Sequence, residues 1–191
     1  RIEFPVYQGE YLAVQIHENR ILQEMIERLQ TETVKDDKAA IIQESPTESM
    51  MFHGLSYMDN LCMSLSRRMG NIWKNNRIRG SIRREYEGLL GEEAFDTKVE
   101  DLSEKQKYQL IYSRVMLQNP QIVYCIKPFK GADLAHRIHI WKLLERLLDN
   151  LLGNSVRHNP QPVQIRLQTD VSGGFLCIMV SDDGAGYPPD V

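Results

Sequence analysis

Two asparagines four residues apart stand in the run Asp149-Asn150-Leu151-Leu152-Gly153-Asn154-Ser155-Val156-Arg157-His158-Asn159. That interval puts both side chains on one face of a helix. Asn154 offers a hard side-chain oxygen of the kind Mg²⁺ prefers. Arg157 and His158 follow one turn later, and both side-chain types reach and neutralise phosphate oxygens. Further along stands Asp182-Asp183-Gly184-Ala185-Gly186. The Asp182 carboxylate can accept a hydrogen bond from an adenine amino group, and Gly184 and Gly186 let the backbone turn tightly against a ligand. A lone asparagine near a helix end reads as a cap, and Asp-Asp-Gly alone reads as a turn. In this order, with strands between, they describe a Mg²⁺–nucleotide site that uses no phosphate loop.

The elements that must position these residues are legible in the pattern. Ile138, Ile140, Trp141, Leu144, Leu147, Leu148, Leu151 and Leu152 recur at helical spacing between Ala135 and Leu152. The helix is expected to end near His158-Asn159-Pro160, because proline disfavours helical backbone in the residue before it. Val163 to Thr169 alternates apolar and polar residues as a half-exposed strand does. Asp170-Val171-Ser172-Gly173-Gly174 is a hairpin-turn signal, and Phe175 to Val180 returns as an apolar strand ending in Ser181-Asp182. A helix covering an antiparallel hairpin is a two-layer α+β arrangement.

This stretch resembles the ATP-binding domain of sensor histidine kinases, the fold shared with gyrase, Hsp90 and MutL. The resemblance implies ATP and Mg²⁺ as ligands. It implies Asn150, Asn154, Arg157, His158, Asp182, Gly184 and Gly186 as the nucleotide contacts, with Asn154 on the metal. The chain stops at Val191, before that family's lid and second glycine box, so the expectation is weak or absent nucleotide binding in this form. An unpaired edge on the Phe175–Val180 strand would then favour self-association. Autokinase chemistry needs a phosphoacceptor histidine on a dimerisation helix, with an acidic residue beside it. His17, His53, His136, His139 and His158 are read as lacking that setting, and no catalytic residue is assigned.

Upstream, Tyr11 to Ile16 reads as a buried strand, and Ile21, Leu22, Met25, Ile26 and Leu29 fall on one helical face. Strand, turn and helix is the geometry of a mononucleotide unit. A phosphate loop at that junction requires glycines and a lysine. His17-Glu18-Asn19-Arg20 has neither, and Glu18 would repel a phosphate. A second strand, Ala39 to Ile42, leads into Gln43-Glu44-Ser45-Pro46, and Ser56 is placed to cap a helix through Leu61. Arg67, Arg68, Lys74, Arg77, Arg79, Arg83 and Arg84 form a basic run that Glu85, Glu87, Glu92 and Glu93 offset, as on a solvated helix face. Then come Leu102-Ser103-Glu104-Lys105-Gln106, a helix to Leu117, Asn119-Pro120 and an apolar strand from Ile122 to Ile126.

Leu-Ser-x-x-Gln followed by helix, Asn-Pro and strand resembles the signature region of ATP-binding-cassette ATPases. The resemblance runs from about residue 4 to residue 148 and is nearest to the second, degenerate ATPase domain of ribose-type sugar importers. Ile126-Lys127-Pro128 stands where Asp-Glu-Pro is expected, so both the metal-holding and the water-polarising carboxylates are gone. Glu104 and Lys105 replace the signature glycines, while Asp133 keeps the D-loop position. Phosphoryl transfer depends on positioned cations and a water-orienting group, so this part is expected to be catalytically inert, a relic or a docking module.

The expected fold class is therefore α/β with α+β character at the C-terminus. A degenerate P-loop-like cassette domain over residues 1–134 joins a partial histidine-kinase-type ATPase sandwich over residues 135–191. The function read from it is a nucleotide-binding signalling module. The alternatives are a non-catalytic cassette subunit docked on a sugar importer and an inactive chimera. The partners implied are adenine nucleotide, with either a response regulator or importer membrane subunits. In 191 residues a net charge of −3 gives no electrostatic case for nucleic acid. No apolar run is long enough to cross a bilayer. Cys62, Cys125 and Cys177 lie far apart in apolar surroundings and read as buried reduced thiols, which points to the cytoplasm.

Overall fold

The computed structural model describes residues 19–35, 39–63, 65, 75–90, 92–120, 122–158, 165–172 and 175–182. The expected strand at Tyr11–Ile16 lies outside them, as do Arg67, Arg68 and Lys74. Helix α1 spans Asn19–Lys35, with Met25, Ile26 and Leu29 half-buried and Gln23, Glu24, Glu27 and Arg28 exposed, as the periodicity requires. Strand β1, Ala39–Ile42, buries alternate residues. The short helix α2, Pro46–Ser49, begins on a proline, whose fixed φ suits the first helical turn. Helix α3 is Tyr57–Met63, α4 is Asn76–Leu90, α5 is Glu104–Gln118, β2 is Ile122–Cys125 and α6 is Leu134–His158. Strands β3, Ile165–Ser172, and β4, Phe175–Asp182, complete the described chain.

Strands β1 and β2 pair in parallel, Ala39 opposite Ile122 through Ile42 opposite Cys125. Ile126 N–H extends the ladder onto Ile42 O at 2.8 Å. One apolar core is built from β1 (Ala40, Ile42), α3 (Tyr57, Leu61), α5 (Leu110, Ile111, Val115) and α6 (Ile140, Leu143, Leu144, Leu147). Phe95 meets Tyr57 edge-on, 5.9 Å between ring centroids, a favoured aromatic arrangement. The free thiols Cys62 and Cys125 sit in this apolar setting, and desolvation raises both, Cys125 to about 12.

Helix starts follow their caps. Ser56 Oγ accepts from Asp59 N–H at 3.1 Å, the cap expected for α3. Ser103 and Gln106 close a capping box at the start of α5. The Leu-Ser-x-x-Gln spacing is thus used internally by a helix terminus. The reading of a solvated basic face is corrected in part. Arg79 gives two 3.0 Å hydrogen bonds to Asp59 Oδ1, and Arg83 grips Asp96 at 2.9 and 3.0 Å while lying 5.2 Å over the Phe95 ring. These arginines fasten α4 to its neighbours, whereas Arg77 and Arg84 are exposed.

The hairpin is also corrected. Strand β3 continues through Asp170, Val171 and Ser172, which pair with Cys177, Leu176 and Phe175, so the connection is confined to two residues. Asp and Ser are turn-prone in isolation, but the ladder offers their backbone groups partners that a longer turn would leave to water.

Asn60 holds the loop before α3. It is fully buried, its Oδ1 accepts from Phe52 N–H at 2.9 Å, and its Nδ2 donates to Phe52 O and Ser56 O at 3.0 and 3.2 Å. Asn60→Ala strands these backbone groups, each lost partner costing about 1–3 kcal/mol. Urea unfolding should therefore show a loss of roughly 2–4 kcal/mol with the m-value unchanged. A loss below about 0.5 kcal/mol, the scale of ordinary surface changes, would contradict the anchoring role.

Candidate functional site

Helix α6 is continuous for 25 residues, from Leu134 to His158. Asp133 caps it, Oδ1 accepting from His136 N–H at 2.8 Å. Its first half is embedded in the core through Ile140, Leu143, Leu144 and Leu147, each no more than 5% exposed. Its second half carries Asn150, Asn154, Arg157 and His158 on one unbroken rod. Asn150 is half-buried, and its Nδ2 is a buried donor with no hydrogen-bond partner among the described residues. Asp182 ends β4 opposite Ile165, at the end of the hairpin away from its turn. The side chains of Asn154, Arg157, His158 and Asp182 lie outside the described residues, as do Gly184 and Gly186 altogether. The structure thus places the helix that bears the asparagines and the strand that delivers Asp182.

A second set of charged groups gathers where β1 and β2 end, the edge at which open α/β sheets bind ligands. Glu44 accepts ion pairs from Lys127 at 3.2 Å and Lys130 at 3.1 Å. These contacts, Lys130 first, hold its carboxyl below the usual range. Lys127 has φ +43°, a left-handed backbone uncommon outside glycine. Ile126, beside it, is buried and carries no oxygen on its side chain. This edge is filled by a carboxylate between two cations. Sequence reasoning named Lys127 but not its partner, since only the parallel register brings Glu44 across to it.

The histidine expectation required both a dimerisation helix and an acidic neighbour, and the structure bears on the second alone. His136 has an acidic neighbour, Asp133 Oδ1 at 2.9 Å from Nδ1; the His136 backbone N–H first, and this side-chain contact after it, lower the Asp133 pKa. The Asp-x-x-His spacing at a helix start is the signal that could have shown it. His139 Nε2 reaches Lys105 O at 3.1 Å, tying α6 to the start of α5.

Residues 140–191 match the family of histidine kinase-, DNA gyrase B-, and HSP90-like ATPases. This end of the chain is similar to histidine-kinase-like ATPases. The alginate biosynthesis sensor protein KinB of Pseudomonas aeruginosa is 44% identical over 45 residues, 24% of this chain and 8% of that protein. The chain therefore spans only a small part of the length of that relative. The ATPase-like match begins at Ile140, the first fully buried residue of α6, and runs through β4. The helix that opens the ATPase-like segment is thus also a wall of the preceding core. Among the described residues no helix is long and apolar enough to cross a membrane.

Desolvation first, and then the charges of Lys105, His136 and Lys142, pull His139 below its ordinary value of 6.5, against the opposing effect of the Lys105 carbonyl. Below pH 6.5 the unfolded chain then binds more protons at this position than the folded one. Stability rises with pH in that window and is lost as pH falls towards the folded value. His139→Gln should flatten the stability–pH slope between pH 6.5 and the folded value, measured by urea midpoints. A slope identical to that of the parent chain would contradict the assignment.

Proposed function

We propose that this protein is a nucleotide-binding signalling module. Its C-terminal segment binds an adenine nucleotide with Mg²⁺, and the preceding part does not hydrolyse ATP. The observation that carries the reading is the unsatisfied Asn150 amide on the α6 face shared with Asn154, inside the segment that matches the ATPase family. Buried donors without partners are rare in folded proteins, and each calls for an explanation such as a functional role or an ordered water or ion. A helix-borne amide pair beside a strand ending in aspartate has the donors and acceptors a Mg²⁺–nucleotide needs.

In this reading Asn154 supplies an oxygen to Mg²⁺ and Asn150 hydrogen-bonds on the same face. Arg157 and His158 meet phosphate oxygens one turn on. Asp182 accepts from the adenine amino group, while Gly184 and Gly186 admit the nucleotide close to the backbone. Bound nucleotide and Mg²⁺ supply the phosphoryl chemistry of this fold, and the chain's own residues bind and orient. The division we favour is a cassette-like unit over residues 1–134 and an ATPase-like unit over residues 135–191. Inertness of the first unit is supported by the parallel-sheet edge, where Glu44 is tied between Lys127 and Lys130 and Ile126 faces the core. Phosphoryl transfer requires groups that hold a metal and orient a water, and the Glu44 carboxylate is already ion-paired to two lysines.

The test is a titration with a fluorescent adenine nucleotide, with and without Mg²⁺, carried to millimolar concentration. The parent chain should bind in a Mg²⁺-dependent manner, and Asn154→Ala should remove the Mg²⁺ dependence. Losing one hydrogen bond to a charged group costs about 1.5–3 kcal/mol. Asp182→Asn should therefore weaken binding roughly tenfold or more, at about 1.4 kcal/mol per decade. Unchanged affinity in both variants would place the site elsewhere. Mg²⁺-dependent ATP turnover that Lys127→Ala abolishes would overturn the inertness of the first unit.

A further inference from the structure

Lys127 and Lys130 stand on one turn, closed by Lys130 N–H on Lys127 O at 2.9 Å and followed by Ala132 N–H on Phe129 O at 3.2 Å. Their ammonium groups converge on a single carboxylate, that of Glu44, at 3.2 and 3.1 Å. The two cations thus belong to one segment and the anion to another, the linker between β1 and α2. Two positive charges against one negative leave a surplus of one. Lys127 presents its side chain from a backbone at φ +43°, a conformation costly for a residue with a Cβ. The seat of Glu44 is imperfect. Its Oε2 is buried, yet the Lys127 contact lacks the geometry of a directed hydrogen bond. The side chains of Lys127, Lys130 and Glu44 are 45%, 52% and 35% exposed, so a solute can reach the cluster.

We propose that the Lys127–Lys130 turn is a binding site for a doubly charged phosphate group, held closed by Glu44 as a tethered stand-in. A carboxylate supplies one negative charge between the lysines, whereas a phosphate dianion supplies two and neutralises the pair. It also brings a third acceptor oxygen, and each ammonium has three donors to share among them. The turn keeps its own backbone hydrogen bonds whether or not Glu44 is present, so the cations stay gathered when the carboxylate leaves. Glu44 competes from within the chain, at an effective concentration in the millimolar range or above. The contact is therefore autoinhibitory: the parent chain keeps this turn silent, and loss of the Glu44 charge opens it. The site is separate from the one on α6, and neither requires the other.

The test titrates inorganic phosphate into the full chain at about pH 8, where phosphate is doubly charged, against chloride at equal ionic strength. Binding is read from the backbone amide resonances of Lys127, Phe129 and Lys130. Glu44→Gln should bind phosphate about tenfold or more tightly than the parent chain, since the tethered competitor is gone. Glu44→Asp keeps the charge on a shorter arm and should fall between them, and it decides the matter if Glu44→Gln does not fold. Adding Lys130→Ala to either variant should abolish the gain. The proposal is overturned if neither Glu44 variant gains phosphate affinity over the parent. It is also overturned if the gain survives loss of Lys130, or if phosphate shifts only the amides of α6. Acetate, with one charge, should bind Glu44→Gln more weakly than phosphate; equal binding overturns the assignment to a dianion.

Discussion

The grip of the core on the first half of α6 is the constraint from which the rest follows. Ile140, Leu143, Leu144 and Leu147 are buried in the apolar core, with α5 as the neighbouring helix. Fully burying one such side chain is worth about 1.5–3 kcal/mol, so four of them hold this part of the helix firmly. The α-helix transmits that position along its axis at about 1.5 Å per residue. Asn150 and Asn154 are therefore displayed roughly 5–10 Å beyond Leu147, on a rod whose base cannot swing. A nucleotide site assembled on this segment inherits its orientation from a core built mostly of residues that precede the ATPase-like match.

The same embedding separates the two charged regions by chemistry. At the end of the parallel strands, Lys127 and Lys130 neutralise Glu44, and buried Ile126 offers no ligand oxygen. A triphosphate approaching there would have to break ion pairs already made. On α6, Asn150 brings a buried, uncharged amide donor with no partner among the described residues. One region has its charges paired from within, while the other carries a buried amide donor.

Most of the architecture was legible because local signals agreed with the final packing. The periodicity of Met25, Ile26 and Leu29, the Ser56 and Ser103 caps and the apolar runs at Ala39 and Ile122 all became the elements they suggest. The failures share a cause. Arg79 and Arg83 read as solvated charges until α3 and the Glu92–Asp96 turn supplied Asp59 and Asp96. Asp170 and Ser172 read as turn residues until pairing with β4 claimed their backbone. Glu44 carried no signal, since its role exists only once two distant strands lie side by side. The candidate site was readable as an order of residue types on named elements. The unsatisfied Asn150 amide was not, because burial depends on packing that spacing does not encode.

Hydrogen exchange read by mass spectrometry on the full chain, with and without Mg²⁺–ATP, is the most direct measurement of where nucleotide acts. The account predicts added protection over the second half of α6, about Leu148 to His158, and at the end of β4 around Asp182. Peptides covering β1 through Glu44 and β2 through Lys130 should be unchanged. Protection confined to that parallel-sheet edge, or none at saturating nucleotide, would contradict a site built on α6.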